Sequence, residues 1–356
     1  MSIKKWSARL AATLLAAAAV VLVAQPAAQA AVPDRVGFAL WSGGVVSQAV
    51  PAGTTVSPVV PGRWLVKFPG QGIPGGAVHV TAVHDALTSP NGRFCQAERW
   101  GQDTAVPPNE LVWVACYRTT GVLDPQPGFS VQFSASSGPV GGGLYGYMFN
   151  SPTCVVGSTY NSVGGANTCI HAGAGSYSIT FNGLASPGPR DGGIQVTAVK
   201  AGAAARCQVA AWSSGPGGQS FRILCRNNLG VLTDTAFTAT YQLKRSLYGP
   251  AFPPNRFGYV FNAPGAGPPS TNYNSITGSN AWGGGPPVWT IKYYQLYTTA
   301  PANSQATAFY SGLDTFCGLH RPWWNAGTDA IVEVNCFNTA GNPVNSAFTS
   351  SYSSRI

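Results

Sequence analysis

Between Ser176 and Phe181, polar and apolar residues alternate: Tyr177, Ile179 and Phe181 fall on one side, Ser176, Ser178 and Thr180 on the other. That is the two-residue period of a strand with one buried face. Ile194-Gln195-Val196-Thr197-Ala198 and Phe221-Arg222-Ile223-Leu224-Cys225 follow the same rhythm, and no segment sustains a helical period. The stretches Arg206 to Trp212 and Phe221 to Arg226 flank the turn-rich Ser213-Ser214-Gly215-Pro216-Gly217-Gly218, which predicts a hairpin. Antiparallel pairing then sets Cys207 opposite Cys225, with cross-strand Cβ atoms about 4.5–5.5 Å apart, close to what a disulfide spans.

This pattern occurs three times. Gly37-Phe38-Ala39-Leu40-Trp41, Gly146-Tyr147-Met148-Phe149-Asn150 and Gly258-Tyr259-Val260-Phe261-Asn262 open copies spaced 109 and 112 residues apart. Each copy continues to a first cysteine (Cys95, Cys207, Cys317) and a second (Cys116, Cys225, Cys336), separated by 21, 18 and 19 residues. Trp100 and Trp212 follow the first cysteine by five residues; in the third copy Trp323 and Trp324 follow by six and seven. Beyond the second cysteine come Gly121, Gly230 and Gly341, then Asp124, Asp234 and Asn345, then Phe129, Phe237 and Phe348. A fixed period of this kind marks a repeat architecture.

The expected fold is all-β: three tandem, disulfide-stapled antiparallel repeats of about 110 residues, sandwich-like, each a domain of six or seven strands. Their short connections favour packing with pseudo-threefold symmetry. The alternative is a six-bladed β-propeller with two blades per repeat, closed by the strand near Phe348 against that near Phe38. The divisions are a signal peptide at 1–30 and repeats at 31–138, 139–246 and 247–356.

Lys4, Lys5 and Arg9 precede an apolar run of about 15 residues, Leu10 to Ala24, and Ala28-Gln29-Ala30 follows, the layout of a secretory signal cleaved after Ala30. The run is short for a bilayer span of about 20 residues, and no later segment is apolar enough to span. Losing those three cations and no acid lowers the formal charge from +9 to +6 on a chain only 9% charged. The basic residues are scattered, with Lys244-Arg245 the one adjacent pair after the leader, so the balance points to solvated surface and not to nucleic acid. Gly and Pro together make about 20% of the chain against 45% hydrophobic residues, which suits short strands joined by many turns.

Eight cysteines in an exported chain read as four disulfides, and neither Cys-x-x-Cys nor a Cys/His cluster at zinc spacing occurs. Recurrence pairs Cys95 with Cys116, Cys207 with Cys225 and Cys317 with Cys336, leaving Cys154 for Cys169. Closing each loop of roughly 20 residues is worth about 3 kcal/mol on the chain-entropy estimate.

The Gly-Tyr-Val-Phe-Asn opening at 258–262, the Ser-Tyr-Ser-Ile-Thr-Phe strand at 176–181, Ile-Gln-Val-Thr-Ala-Val at 194–199 and the Cys207-Gln208-Val209 to Trp212 and Ile223-Leu224-Cys225 pair resemble tandem-repeat secreted proteins of actinobacteria. The resemblance covers nearly the whole mature chain and implies export and repeat architecture, with no activity attached. The strand rhythm is also similar to that of H-type lectin and phage tail-tip β-sandwich domains, from which no sugar-binding residue carries over.

Chemistry is sparse. His79, His84, His171 and His320 hold no equivalent repeat positions, and neither a Gly-x-Ser-x-Gly elbow nor a His-Glu-x-x-His helix is present. His79 and His84 with Asp85 could in principle bind a metal, but a spacing of five turns the two rings to opposite faces of a strand. Of the carboxylates only Asp124 and Asp234 share a repeat position, where a turn-capping role fits better than catalysis. No residue set points to a metal or cofactor, and nothing specifies an oligomeric state.

The best contact candidates lie in the third copy. His320-Arg321-Pro322-Trp323-Trp324 holds two adjacent tryptophans that a strand must send to opposite faces, and Tyr293, Tyr294 and Tyr297 add further rings. Trp323, Trp324, Arg321, His320, Tyr293 and Tyr294 are therefore the candidate ligand-binding residues. The expected function is a secreted, non-catalytic binding protein whose partner is an envelope or environmental glycan or another exported protein. The alternatives are a secreted hydrolase with an unrecognised site and a structural cell-surface protein.

Overall fold

The computed structural model describes residues 34–84, 92–136, 142–188, 190–248, 256–263, 271–310, 312 and 314–354. The leader expected at 1–30 lies outside them, as does Asp85. The first repeat supplies β1 (Arg35–Ser42), β2 (Val45–Val50), β3 (Thr55–Val60), β4 (Arg63–Phe68), β5 (Ala77–Val83), β6 (Arg93–Gln102), β7 (Glu110–Arg118) and β8 (Gly128–Ala135). The second supplies β9 (Leu144–Asn150), β10 (Val156–Asn161), β11 (Thr168–Gly173), β12 (Ser176–Asn182), β13 (Gly193–Val199), β14 (Ala205–Gly215), β15 (Gly218–Asn227) and β16 (Ala236–Leu243). The third supplies β17 (Arg256–Asn262), β18 (Thr271–Asn274), β19 (Ala281–Gly285), β20 (Val288–Tyr293), β21 (Ala302–Phe309), β22 (Thr315–Leu319), β23 (Trp324–Ala326), β24 (Asp329–Asn338) and β25 (Ala347–Ser354). Among the described residues each copy thus holds eight strands, not six or seven, and the third has a ninth because its sixth strand is broken between Leu319 and Trp324.

Every repeat is a sandwich of two four-stranded sheets. In the first, β2-β1-β8-β5 faces β3-β4-β7-β6, and Ala39, Val78, Val80, Phe129, Val131 and Phe133 of one pack on Trp64, Val66, Phe68, Val112 and Val114 of the other. The opening strand pairs with the closing one, Phe38 opposite Gln132 and Phe261 opposite Thr349. The recurrent glycine of the opening strand is required by this packing: a Cβ on Gly37 would sit 2.4 Å from the ring of Phe68, and one on Gly258 2.8 Å from Tyr293. Cys95, Cys207 and Cys317 stand directly opposite Cys116, Cys225 and Cys336 in the hairpins, with Cα atoms 4.0 Å apart, and Cys154 is bonded to Cys169.

The repeats do not keep their sheets to themselves. One parallel contact joins β13 to β6 (Val199 opposite Ala97), another β14 to β21 (Val209 opposite Phe309), and a third β22 to β5 (Leu319 opposite Val83). Half of each repeat is thereby continued into half of the next, giving three long sheets closed around a pseudo-threefold axis. The propeller alternative is excluded, because β25 pairs with β17 and β21 of its own repeat and not with β1.

Around the axis lie β5, β13 and β21, buried at every position. The alternation of Ile194 to Ala198, expected to leave a solvated face, instead turns Gln195 and Thr197 toward the axis. Buried polar groups must find partners, and here they do so cyclically. Thr197 Oγ1 accepts from the Val80 N–H at 3.1 Å, Thr307 Oγ1 from Val196 at 3.0 Å, and Thr81 Oγ1 from Ala306 at 3.1 Å. Thr81 and Thr307 donate in turn to Gln305 and Gln195 at 2.6 and 2.8 Å, whereas Thr197 meets His79 Nδ1 at 3.4 Å. His79 is thus the first repeat's substitute for an axial glutamine.

Candidate functional site

The sixth strand of each repeat starts two residues before the first cysteine, and in the first two copies it bulges before its tryptophan. In the first two copies Trp100 faces Val112 and Trp212 faces Phe221, each four residues before the second cysteine. In the third, Arg321 and Pro322 lengthen the bulge, and Pro322, which has no N–H for the ladder, coincides with the break between β22 and β23. Trp324 pairs with Ile331, so Trp323 aligns with Val332, the residue four before Cys336. Trp323 therefore takes the repeat's tryptophan position: it is buried and its ring lies 6.4 Å from that of Tyr352, edge to face. Trp324 is the surplus ring.

Trp324 lies across from Ile331, and Ile331 from Lys292 on β20, so the three share the outer face of this sheet. The Arg321 guanidinium stacks over the half-exposed Trp324 ring with its carbon 4.0 Å from the centroid. Two bonds to Glu333, at 2.9 and 3.1 Å, hold that guanidinium flat, in the bidentate geometry only arginine offers. Lys292 bonds Asp329 at 2.9 Å, which raises the ammonium's pKa, and its nitrogen lies 5.3 Å from the centre of the half-exposed Tyr294 ring. The structure thus brings Trp324, Arg321 and Tyr294 to one face. His320 is half-buried at its border, its Nδ1 3.3 Å from Asn335 Nδ2.

Two of the candidates are core residues. Trp323 is 5% exposed, and Tyr293 is fully enclosed, stacked on Tyr352 at 5.6 Å and bonded to Ser350. The cause is strand parity: residues adjacent in sequence to Trp324 and Tyr294 must point inward. A further aromatic pair lies outside the candidates that the sequence pattern marks. Trp282 on the edge strand β19 packs against Trp289 of β20 with centroids 5.0 Å apart, and both remain half-buried. The signal was available in Ala-Trp-Gly-Gly-Gly-Pro-Pro-Val-Trp at 281–289, two rings on either side of a hairpin turn.

Of the histidines, His79 and His171 stand apart, while His84 and His320 lie near one another. His79 lies on the axis, and burial pushes its imidazole down to about 3. His84, also buried, is held near the same value by burial and by the nearby Arg93 and His320. His171 bonds Asp234 at 2.8 Å on the surface; that carboxyl is held low by the Gly175 N–H first and by His171 second. Asp124 is buried between Arg93 and Arg118 at 3.4 and 3.9 Å and caps the following turn at Gln126. Among the described residues no three His, Cys, Asp or Glu side chains converge as metal ligands would, and no helix is long and apolar enough to cross a membrane.

No protein-family model matches this chain, and neither a curated protein nor a solved structure is significantly similar to it.

Proposed function

We propose that this chain is an exported, non-catalytic binding protein that holds a glycan or another exported protein on the outer face of its third repeat. The observation that carries this reading is Trp324. It is an aromatic ring beyond what the repeat needs for its core, half-exposed, and covered on one side by a guanidinium already fixed by Glu333. Side chains locked before a partner arrives lose little entropy on binding, and aromatic and arginine anchors dominate contact energies. Export is supported by the leader at 1–30 and by four disulfides, which persist in oxidising compartments.

The test is retention of the secreted protein on peptidoglycan, chitin, cellulose and immobilised exported proteins, wild type against Trp324→Ala. Retention on one of these should weaken by about tenfold or more in the variant. Undiminished retention by a variant that keeps the wild-type circular dichroism would refute the assignment, and turnover of a retained polymer would favour a hydrolase instead.

A further inference from the structure

The pseudo-threefold arrangement is broken at one junction. Where the second repeat meets the first, Gln96 clamps the chain: its amide donates to the carbonyls of Lys200 and Ala203, and its oxygen accepts from the Ala205 N–H at 2.7 Å. Where the third meets the second, Gln208 repeats this, donating to Tyr310 at 2.6 Å and accepting from Thr315 at 3.1 Å. Where the first meets the third, the residue after the cysteine is Gly318. The position matching Lys200 and Tyr310 is His84, whose N–H pairs with Leu319 as theirs do with Ala97 and Val209. A Cβ on Gly318 would fall 2.6 Å from His84 Nε2, so the imidazole occupies the space of the absent glutamine.

The exchange leaves polar atoms without partners. Among the described residues neither ring nitrogen of His84 has a hydrogen-bond partner, and Arg93 Nε makes none in good geometry, although the ring is 1% exposed and Arg93 6%. Both side chains line a cleft of about 670 Å³ whose wall also includes Trp41, Trp64, Pro127 and Pro322. That size lies within the ~300–1,000 Å³ of small-molecule sites. The ring and the guanidinium are closed off from solvent, with Nε2 turned to Gly318, so a ligand that supplies their missing hydrogen bonds must shift the imidazole toward the cleft.

We propose that this cleft binds a neutral sugar ring, which packs on Trp41 and meets His84 with a hydroxyl. Trp41 is half-exposed at the mouth, and the prolines give flat apolar walls, which suits the C–H face of a pyranose. A hydroxyl both donates and accepts, so it satisfies an imidazole in either tautomer. Arg93, the one guanidinium among the described residues of the wall, is already engaged by Asp124 at 3.4 Å, which it shares with the exposed Arg118, and by the Gln126 carbonyl at 3.0 Å, and His84 stays uncharged at neutral pH, so the wall has no unengaged cation to spend on an anionic ligand. The site goes beyond the third-repeat face and is independent of Trp324.

The experiment is calorimetric titration of the whole mature protein with neutral cello-, chito-, xylo- and manno-oligosaccharides and with polygalacturonate as the anionic arm. At least one neutral series should bind with no preference for the anion. Trp41→Ala should weaken binding by about tenfold or more, and equally so on a Trp324→Ala background that removes any contribution of the third-repeat face. His84→Gln serves as the second variant; because the ring is buried, its effect is read alongside the wild-type protein's His84 imidazole nitrogen shifts, which should move on saturation. Failure of every neutral series to bind, preference for polygalacturonate, or binding indifferent to Trp41→Ala with unmoved His84 signals would overturn the assignment. Binding abolished by Trp324→Ala and not by Trp41→Ala would transfer the sugar to the third-repeat face.

Discussion

At the scale of single residues, the axis shows what a buried imidazole does to stability. Folded His79 titrates near 3, while in the unfolded chain it takes the ordinary value of 6.5. Above 6.5 both states are neutral and this group confers no pH dependence. As pH falls from 6.5 toward 3 the unfolded chain binds a proton that the folded one refuses, so stability drops by on the order of 1.4 kcal/mol per pH unit. His84 adds a loss of the same sign. His79→Gln, the residue already present at 195 and 305, should keep the fold at pH 7 and make the decline of the urea midpoint between pH 6.5 and 3 shallower. A slope identical to wild type would show that His79 is not buried uncharged. The column His79, Gln195, Gln305 was readable in the repeat, as was the extra tryptophan of the third copy. What the polar alternation concealed was direction: it reports a face unlike the other, not whether that face meets water or two more copies of itself.

At the scale of elements, the hairpins and their cysteines were legible because turn, period and spacing are local. The pairing of β1 with β8 was not, since it joins strands about ninety residues apart and leaves no local mark. The junction clamps were hidden for the same reason, although Gln96, Gln208 and Gly318 all follow a first cysteine. Removing a clamp strands buried groups on both neighbours. Gln96→Ala and Gln208→Ala should each cost about 1–3 kcal/mol in chemical denaturation. Gly318→Ala should also destabilise, for the opposite reason: its Cβ would meet His84 Nε2 at 2.6 Å and the Ala82 carbonyl at 2.8 Å. Overpacking of this kind typically costs about 1–3 kcal/mol. Loss at the glutamines together with tolerance at Gly318 would mean that His84 does not fill the third junction.

At the scale of the whole molecule, the shared sheets and the cyclic threonine bonds make each repeat depend on the other two. Calorimetry should therefore show one transition with matching calorimetric and van't Hoff enthalpies, and three separable transitions would contradict the sharing of sheets. Symmetry of this kind also locates function. Residues common to three copies serve the fold, and those that depart from the pattern, the lengthened bulge with Trp324 and the Gly318–His84 exchange, are free to serve a partner. The direct test follows the indole N–H signals of the protein by NMR while the glycan or exported protein retained in the binding assay is added. The account predicts that the Trp324 signal moves while those of its repeat counterparts Trp100, Trp212 and Trp323 stay in place. Equal shifts at the three repeat tryptophans, or a bound partner that leaves Trp324 unmoved, would contradict it.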